Sequence, residues 1–464
     1  MNHKPTKSEQ NDLNRRGFLR TGSMTTLIAM MGGVALKAED EKGKPASATP
    51  SVPEEKHVGP PVNCAVIGCG IQGREIINTL MRLPNAPVVA VCDTYEAFLR
   101  RGKEAAPNAV GETDYKKLLA QKDVQAVFVA TPTHQHKDIV IEALKAGKHV
   151  YCEAPIAHTV EDARAIAKAA KAAYKVNFQT GLQMRSEPQR HFLLQFVRSG
   201  AMGKTFKGRA QWQKKQSWRR TSPNPDRERE INWRLKSSTS PGLIGEIGIH
   251  QVDVGNWFIN ERPTAVTGFG GIMAWQDGRD VPDTVQAVFR YPSGAYYSYE
   301  CTLANSFDAD YEMFFGTDSA IMLRQNKAWM FKEVDSPLLG WEVYARKDEF
   351  YKETGIALVA NATKLVAQGS NPVEDAPYTN TSLSYALESF IANTGTLAAG
   401  VEDFVGNFGD SEQGVRKYLV DLMKTRRPAA GYHEGYEATV ITLKANEAIL
   451  KGQKVDLTDD LFEI

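Results

Sequence analysis

Apolar and polar residues follow two different patterns along the chain, and the change falls near residue 182. In the first part, short apolar runs of strand type alternate with helical patterns. Strands and helices that alternate at this spacing predict βαβ units and a parallel, doubly wound sheet. The predicted strands are 62–68, 87–92, 126–130 and 149–152, with helices over 74–83 and 139–146.

Longer runs of strand type follow residue 182, and turns such as Pro292-Ser293-Gly294 separate several of them. This pattern predicts a largely antiparallel sheet with helices on one side. The predicted strands are 209–213, 265–273, 284–291, 295–303 and 311–315, and helices over 415–424 and 437–451 complete the domain. The fold class is therefore α/β, with a parallel sheet followed by a mostly antiparallel one.

The first 61 residues follow neither pattern. Arg15 and Arg16 precede Phe18, Leu19 and a mildly apolar run over 25–36. Paired arginines before a weakly apolar segment predict a twin-arginine export signal over 1–38, whereas the alternative is a chance basic pair in a disordered tail. Residues 39–61 are rich in Lys, Glu, Pro and Ser, which predicts a disordered linker. We therefore expect a periplasmic or otherwise exported protein.

Composition excludes two classes of function. The chain has 56 Lys and Arg against 55 Asp and Glu, a balance that argues against a nucleic-acid binder. After residue 60 no apolar run approaches the roughly 18 residues of a membrane span, so none is expected in the mature chain. The odd count of five cysteines excludes a full disulfide framework. The five lie in or beside predicted strands, as buried free thiols: Cys64, Cys69, Cys92, Cys152 and Cys301.

A glycine-rich turn carries the strongest chemical signal. It consists of Gly68, Cys69, Gly70, Ile71, Gln72 and Gly73. The turn follows a predicted strand and opens a helix, and Asp93 ends the next strand, so the GxGxxG pattern indicates a dinucleotide site. Gly68 allows the tight turn, Gly70 admits the pyrophosphate and Gly73 permits close helix–strand packing. Asp93 would bind both ribose hydroxyls and repel a 2′-phosphate, which favours NAD over NADP. Glycines that serve only a tight turn are the alternative.

Two further polar clusters are candidates for a site. The sequence TPTHQH, over 131–136, follows a strand at the carboxyl edge where doubly wound sheets bind ligands, although surface imidazoles at a helix start are the alternative. Glu246 and His250 lie four residues apart, which on a helix places both on one face. A carboxylate there would orient the imidazole and raise its pKa, as suits a general base. Asp253 roughly shares this face, and a helix-surface hydrogen-bond group is the alternative.

Together with AGKHV over 146–150 and EAP over 153–155, these motifs resemble, in this order, the Gfo/Idh/MocA oxidoreductases. That family includes glucose–fructose oxidoreductase and inositol dehydrogenases. The resemblance implies a Rossmann NAD(P)-binding domain over 62–182. It also implies a substrate-binding and oligomerisation domain over 183–464, whose large open sheet faces the nicotinamide. Homo-oligomers built through that sheet are common in the family, and the expected substrate is a small carbohydrate or polyol.

The resemblance also implies roles for single residues. The cofactor contacts it implies beyond the glycine turn and Asp93 are Thr131, Pro132, His136 and Glu153. His250 matches the catalytic histidine, and Glu246 stands where the family usually has Asp. On the substrate side, Arg185 matches a position that lines the pocket, and Asp253 is a further candidate. Trp233 and Arg234 precede this segment as a candidate pocket lid, with an ordinary solvated loop as the equal alternative. No metal ligand is expected.

Ala154 departs from the family, whose motif at 153–155 is Glu-Lys-Pro with a lysine that points at the substrate hydroxyl. An exported enzyme has no free nicotinamide pool, so we expect tightly bound NAD that is reset within each cycle. The expected function is an oxidoreductase that transfers hydride to or from a hydroxyl carbon of a sugar, polyol or glycoside. The alternative is a redox-neutral glycosidase that oxidises, eliminates, hydrates and reduces back. A non-catalytic, NAD-bound sugar-binding protein is a third hypothesis.

Overall fold

The computed structural model describes residues 59–222, 224–324, 327–339, 347–350, 353–358 and 380–464. The predicted export signal and nearly all of the predicted linker lie outside these residues. Most of 325–379 also lies outside them.

Six strands form the first sheet, in the order β3-β2-β1-β4-β5-β6, and every neighbouring pair is parallel. The strands are β1 (Cys64–Ile67), β2 (Val88–Cys92), β3 (Val110–Glu112), β4 (Ala126–Val129), β5 (His149–Cys152) and β6 (Phe178–Thr180). The helices among them are α1 (Ile71–Leu80), α2 (Glu96–Ala105), α3 (Tyr115–Leu119), α4 (His136–Lys145) and α5 (Val160–Ala172). Strands β1, β4 and β5 are buried at every position, because helices cover both faces of the sheet. The predicted doubly wound sheet is confirmed.

Ten strands form the second sheet, in the order β14-β15-β13-β12-β11-β7-β10-β9-β8-β16. Only β7 and β10 pair in parallel. The strands are β7 (Thr205–Gln213), β8 (Ala265–Gly271), β9 (Thr284–Arg290), β10 (Tyr296–Thr302), β11 (Asp310–Gly316), β12 (Ser319–Arg324), β13 (Lys327–Lys332), β14 (Lys347–Phe350), β15 (Glu353–Ala357) and β16 (Val455–Asp456). The helices are α6 (Pro188–Arg198), α7 (Pro225–Ile231), α8 (Ile249–Ile259), α9 (Ser382–Phe408), α10 (Glu412–Leu422) and α11 (Tyr432–Lys451). The predicted mostly antiparallel sheet is confirmed.

The C-terminal helices pack on the first sheet as well as on the second. The Phe390 ring of α9 lies 5.0 Å from that of Phe128 and 5.8 Å from that of Tyr151, centroid to centroid. In α11, Thr439 Oγ1 accepts a hydrogen bond from the Ile156 backbone N–H at 3.2 Å. Phe390 is fully buried, which stabilises this contact by roughly 1.5–3 kcal/mol. The core of the first sheet is thus completed by residues from the end of the chain.

All five cysteines are buried free thiols, as the sequence predicts. Burial raises the pKa of the Cys301 thiol to about 12, so this thiol stays protonated at neutral pH. No helix within the described residues has the length and apolar character needed to cross a bilayer.

Candidate active site

The glycine turn between β1 and α1 leaves open space at one glycine and none at the other two. Gly68 has φ +96°, a conformation that favours glycine, and a Cβ there would lie 2.6 Å from the Ala130 carbonyl oxygen. A Cβ on Gly73 would lie 1.7 Å from the Gly68 oxygen, whereas one on Gly70 would meet nothing within 4 Å. The open space lies at the N-terminus of α1, where unpaired N–H groups favour a phosphate. Beside the turn, the buried Thr131 Oγ1 has no partner. These residues fit a dinucleotide.

Asp93 lies directly after β2, next to the glycine turn. Its Oδ2 accepts a hydrogen bond from the Cys69 N–H at 2.8 Å, and its Oδ1 accepts one from the Tyr95 N–H at 2.7 Å. Burial raises the pKa of Asp93, although these two hydrogen bonds oppose the shift. Each carboxylate oxygen keeps a further lone pair that a ribose hydroxyl can use. Ile71, the first residue of α1, exposes its side chain beside this turn.

Glu153 connects the turn after β5 to the glycine turn. Gln72 Nε2 donates to Glu153 Oε1 at 2.8 Å, so two predicted cofactor-binding residues bond to each other. Burial raises the pKa of Glu153 to about 7, against the opposing bonds from Gln72 and Ala154. A Cβ on Gly181 would lie 2.5 Å from Glu153 Oε2, so a larger residue there would displace the Glu153 carboxylate from this position.

His136 is buried between the TPTHQH loop and the turn after β5. It is 1% exposed, with Nε2 2.9 Å from the Thr131 carbonyl oxygen and Nδ1 3.1 Å from that of Pro155. Cys152 Sγ is 3.5 Å from Nδ1. Burial lowers the pKa of His136 to about 4, so the ring is neutral at pH 7. A neutral imidazole carries one N–H, so His136 donates to only one of these two carbonyl oxygens. Its role as a cofactor contact stays a prediction. Pro132 precedes the short helical turn Thr133–Gln135 that leads into this ring.

Glu246 is the centre of a hydrogen-bond cluster between the two domains. Its Oε2 accepts from Arg234 Nε at 3.1 Å, and its Oε1 accepts from Thr133 Oγ1 at 3.2 Å and from Ser240 Oγ at 3.4 Å. The Glu246 side chain is 2% exposed. Burial raises its pKa, and the positive charge of Arg234 opposes that shift. The cluster joins the TPTHQH loop of the first domain to the segment that precedes α8.

The expected orientation of His250 by Glu246 is wrong. The backbone forms a π-helical turn over Ile244–Gly248, α8 begins only at Ile249, and no hydrogen bond between the described atoms joins Glu246 to His250. Desolvation lowers the pKa of His250 to about 4, opposite to the predicted rise. The reason is that the Glu246 carboxylate faces Arg234, so burial of the imidazole has no nearby negative charge to oppose it.

Arg234 and Trp233 reach the site from the segment that precedes α8. The Arg234 guanidinium lies 4.7 Å from the ring centroid of Trp233 and 5.8 Å from that of Trp218. The His134 ring lies 6.2 Å from the Trp233 ring. Arg234 bonds to buried Glu246, so this segment is held at the Glu246 cluster, and its role as a pocket lid stays a prediction.

Ala154 faces an apolar cluster instead of open solvent. Its half-buried side chain packs against Leu182, Ile249, Ala430 and Ala438. One of these residues belongs to α11 and another to the loop before it, so the end of the chain occupies space next to Ala154.

Arg185 and Asp253 lie together, away from the Glu246 cluster. Arg185 Nε and Nη2 donate to Asp253 Oδ2 and Oδ1, each at 2.8 Å, and the guanidinium lies 5.3 Å from the Trp257 ring centroid. Both line a cavity of about 310 Å³ between α8 and the start of α11, and neither Glu246 nor His250 is among its lining residues. The two predicted substrate residues thus form an ion pair with each other, in a cavity that Glu246 and His250 do not line.

Sequence reasoning missed several residues of the cleft. Thr133 lay inside a motif that the sequence did single out, but nothing in the sequence shows that its hydroxyl bonds Glu246. Ser240 and Gly181 carry no local signal, because each is defined by a contact with a distant carboxylate. Within the described residues, no group of three or more His, Cys, Asp and Glu could hold a metal ion.

Two protein-family models match the chain. One, described as the oxidoreductase family with an NAD-binding Rossmann fold, matches residues 62–181. The other, described as the GFO/IDH/MocA C-terminal domain, matches residues 192–321. Together they cover more than half of the chain.

Three curated relatives act on carbohydrates by name. Levoglucosan dehydrogenase of Pseudarthrobacter phenanthrenivorans is 27% identical over 270 residues, 52% of this chain and 67% of that protein. The 2,7-anhydro-N-acetylneuraminate hydratase of Escherichia coli is 27% identical over 267 residues, which are 56% of this chain and 67% of that protein. A glycosyl hydrolase family 109 protein of Shewanella baltica is 26% identical over 231 residues, which are 45% of this chain and 50% of that protein.

A solved structure of levoglucosan dehydrogenase in complex with NADH has a similar fold. It superposes with a TM-score of 0.64 at 18% identity, covering 86% of this chain and 99% of that one. At this identity the likeness shows the shared fold alone.

Proposed function

Because the chain belongs to the Gfo/Idh/MocA oxidoreductase family, we propose that it transfers hydride to or from a hydroxyl carbon of a carbohydrate or polyol, with tightly bound NAD. The observation that carries the proposal is that two buried carboxylates, Glu153 of the first domain and Glu246 of the second, both lie within the influence of the Arg234 charge. Glu153 bonds the glycine turn, and Glu246 bonds the TPTHQH loop and Arg234. Carbohydrate as the substrate class rests on the names of the relatives.

The residues of the cleft divide between cofactor and substrate. Bound NAD supplies a nicotinamide carbon that accepts a hydride and can return it. Glu153 and Asp93 accept hydrogen bonds from the two riboses, and Gly70 lets the backbone approach the pyrophosphate. His250 is neutral at pH 7, so a ring nitrogen can accept the proton that leaves the substrate hydroxyl. Glu246, four residues before that histidine, holds Arg234 and the Thr133 loop in position.

A redox-neutral glycosidase is the second candidate, and Ala154 favours it. Bound NAD would supply the hydride acceptor and donor for this chemistry. A sugar hydroxyl is oxidised to a ketone, the neighbouring C–H loses its proton, and the glycosidic oxygen leaves with a proton. Water then adds across the resulting double bond, and the ketone is reduced back to the hydroxyl. Net electron transfer is zero, so no acceptor is needed. A relative with the name glycosyl hydrolase and another with the name hydratase accord with this chemistry. The family lysine serves simple hydroxyl oxidation, and here the apolar cluster around Ala154 occupies its surroundings.

One preparation tests both candidates. The purified protein is denatured and the supernatant analysed for NAD(H) by chromatography. The intact protein is then incubated with free sugars, polyols and aryl glycosides while absorbance at 340 nm and release of the aglycone are followed. Reduction of bound NAD by a free sugar supports the oxidoreductase. Release of aglycone without net reduction identifies the glycosidase. Absence of any bound or bindable nucleotide would refute both.

Export and assembly belong to the same proposal. The twin-arginine pair at Arg15 and Arg16 supports export of a protein that carries its cofactor. Homo-oligomers through the second sheet are supported by three apolar side chains exposed on its open face, Phe269, Val288 and Tyr296. Light scattering of the wild type and of Phe269→Glu would measure the assembly.

A further inference from the structure

Between β7 and the turn that carries Glu246, the chain leaves the second sheet and returns to it. We name residues 214–222 and 224–240 the strap. Hydrogen bonds join its first residues to the loop after β10 and its last residues to the loop before β9. Both ends of the strap are therefore fixed to the second domain, while its middle contains α7.

The middle of the strap contacts the first domain beside Asp93. Arg227, in α7, donates from Nη2 to the Thr94 carbonyl oxygen at 2.8 Å. Its guanidinium also lies 5.2 Å from the ring centroid of Tyr95. Thr94 directly follows Asp93, and the positive charge of Arg227 lowers the pKa of that carboxylate against the effect of burial. The strap thus reaches the end of the cleft at which the adenosine ribose would bind.

The strap also contacts the opposite end of the cleft. Arg234 Nε donates to Glu246 at 3.1 Å, and the charge of Arg234 opposes the burial that raises the pKa of Glu153. One continuous excursion from the second domain therefore touches both ends of the groove that fits a dinucleotide. The middle of that groove is the glycine turn.

Arg220 lies in the strap between these two contacts. Its backbone is fixed by Asn232, whose Oδ1 accepts from the Arg220 N–H at 2.8 Å and whose Nδ2 donates to the Arg220 oxygen at 2.7 Å. The half-buried guanidinium has no carboxylate bonded to it among the described residues. Burial lowers the pKa of Arg220, and the charges of Arg234 and Arg74 lower it further. Arg74 Nη1 donates to the Cys69 carbonyl oxygen at 2.9 Å, so the Arg74 guanidinium that acts on Arg220 lies at the glycine turn. An anion placed there would stabilise all three arginines.

We propose that the strap closes over the bound dinucleotide, with Arg220 facing the pyrophosphate opposite the Gly70 turn and Arg227 holding the adenosine end. The inference rests on the proposed function only in taking a dinucleotide as the ligand. Because the strap is fixed at both ends, NAD leaves only when the contact between Arg227 and Thr94 opens. The strap therefore makes the cofactor resident.

Retention of NAD measures this directly. Arg220→Gln and Arg227→Gln remove the two contacts, and Arg229→Ala is the matched control because its side chain, on the same helix, is 82% exposed. Each protein is loaded with NAD and passed through a desalting column, and the remaining nucleotide is measured over time. We expect each glutamine variant to release NAD about tenfold faster or more, with the control unchanged. The affinity of Arg220→Gln should also depend less on salt.

Three outcomes would overturn the proposal that the strap retains NAD. In the first, both glutamine variants retain NAD as the control does. In the second, retention is unchanged and only the KM for an acidic sugar rises, so that Arg220 serves the substrate. In the third, the nucleotide-free variants unfold at lower temperature than the control by enough to explain the release. A wild type that holds NAD but turns over no carbohydrate would refute the proposed function and leave the strap standing.

Discussion

Replacing Glu153 by glutamine should make the stability of the protein depend less on pH between pH 5 and pH 8. In the folded protein burial raises the pKa of Glu153 from 4.5 to about 7. The folded state therefore binds the Glu153 proton more tightly than the unfolded state does. The contribution of Glu153 to the free energy of unfolding is complete below pH 4.5 and is lost as the pH rises from 4.5 to about 7. Glutamine stays neutral and keeps an oxygen that can accept the Gln72 hydrogen bond.

The size of the effect follows from the two pKa values. A rise from 4.5 to about 7, at about 1.4 kcal/mol per pKa unit, corresponds to about 3 kcal/mol in the free energy of unfolding at pH 8. At pH 5 the same linkage leaves under about 1 kcal/mol. We therefore expect the free-energy difference between Glu153→Gln and the wild type to grow by roughly 2 kcal/mol from pH 5 to pH 8.

Urea unfolding of nucleotide-free protein, followed by tryptophan fluorescence at both pH values, measures this difference. Any constant effect of the substitution on packing cancels between the two pH values. Glu104→Gln is the control, because the Glu104 side chain is 66% exposed. If the free-energy difference between Glu153→Gln and the wild type stays constant or shrinks from pH 5 to pH 8, the pKa of Glu153 is not raised in the folded protein.

Three further predictions concern the cleft. Ala154→Lys places an ammonium against the apolar cluster, so we expect a loss of about 2 kcal/mol or more in chemical unfolding and no faster hydride transfer; a faster variant would contradict this. His250→Gln should lower kcat about 100-fold or more, and the NMR signal missing from that variant should not titrate between pH 6 and 8 in the wild type. Gly73→Ala should abolish NAD retention on desalting, because its Cβ would lie 1.7 Å from the Gly68 oxygen.

Features that depend on neighbouring residues in the sequence could be predicted. Each strand that the apolar pattern predicts is present, and the observed strand ends differ from the prediction by at most four residues. The strands β3, β6 and β12 to β16 were not predicted. The glycine turn and Asp93 were predictable because a strand, a turn and a helix N-terminus together restrict the backbone. Their cofactor roles remain predictions that NAD binding would test.

Features that depend on distant contacts could not be predicted. Arg227 meets Thr94 across 133 residues, and the Gln179 side chain meets α9 across 207. The sign of the His250 shift was wrong for the same reason. Spacing of four residues shows that two side chains can share a face, but it does not show that Arg234 has already taken the carboxylate.

Because α9 and α11 pack on the first sheet, the first domain cannot complete its folding until the end of the chain has been synthesised. Thr439 leaves the ribosome 283 residues after Ile156, the residue it bonds. At roughly 5–20 residues per second, this delay is roughly 15–60 s. For most of that time, until Phe390 is synthesised, the apolar surface around Phe128 and Tyr151 lacks the ring that covers it in the folded protein. The nascent first domain must therefore wait, incompletely packed, for the last part of its own chain.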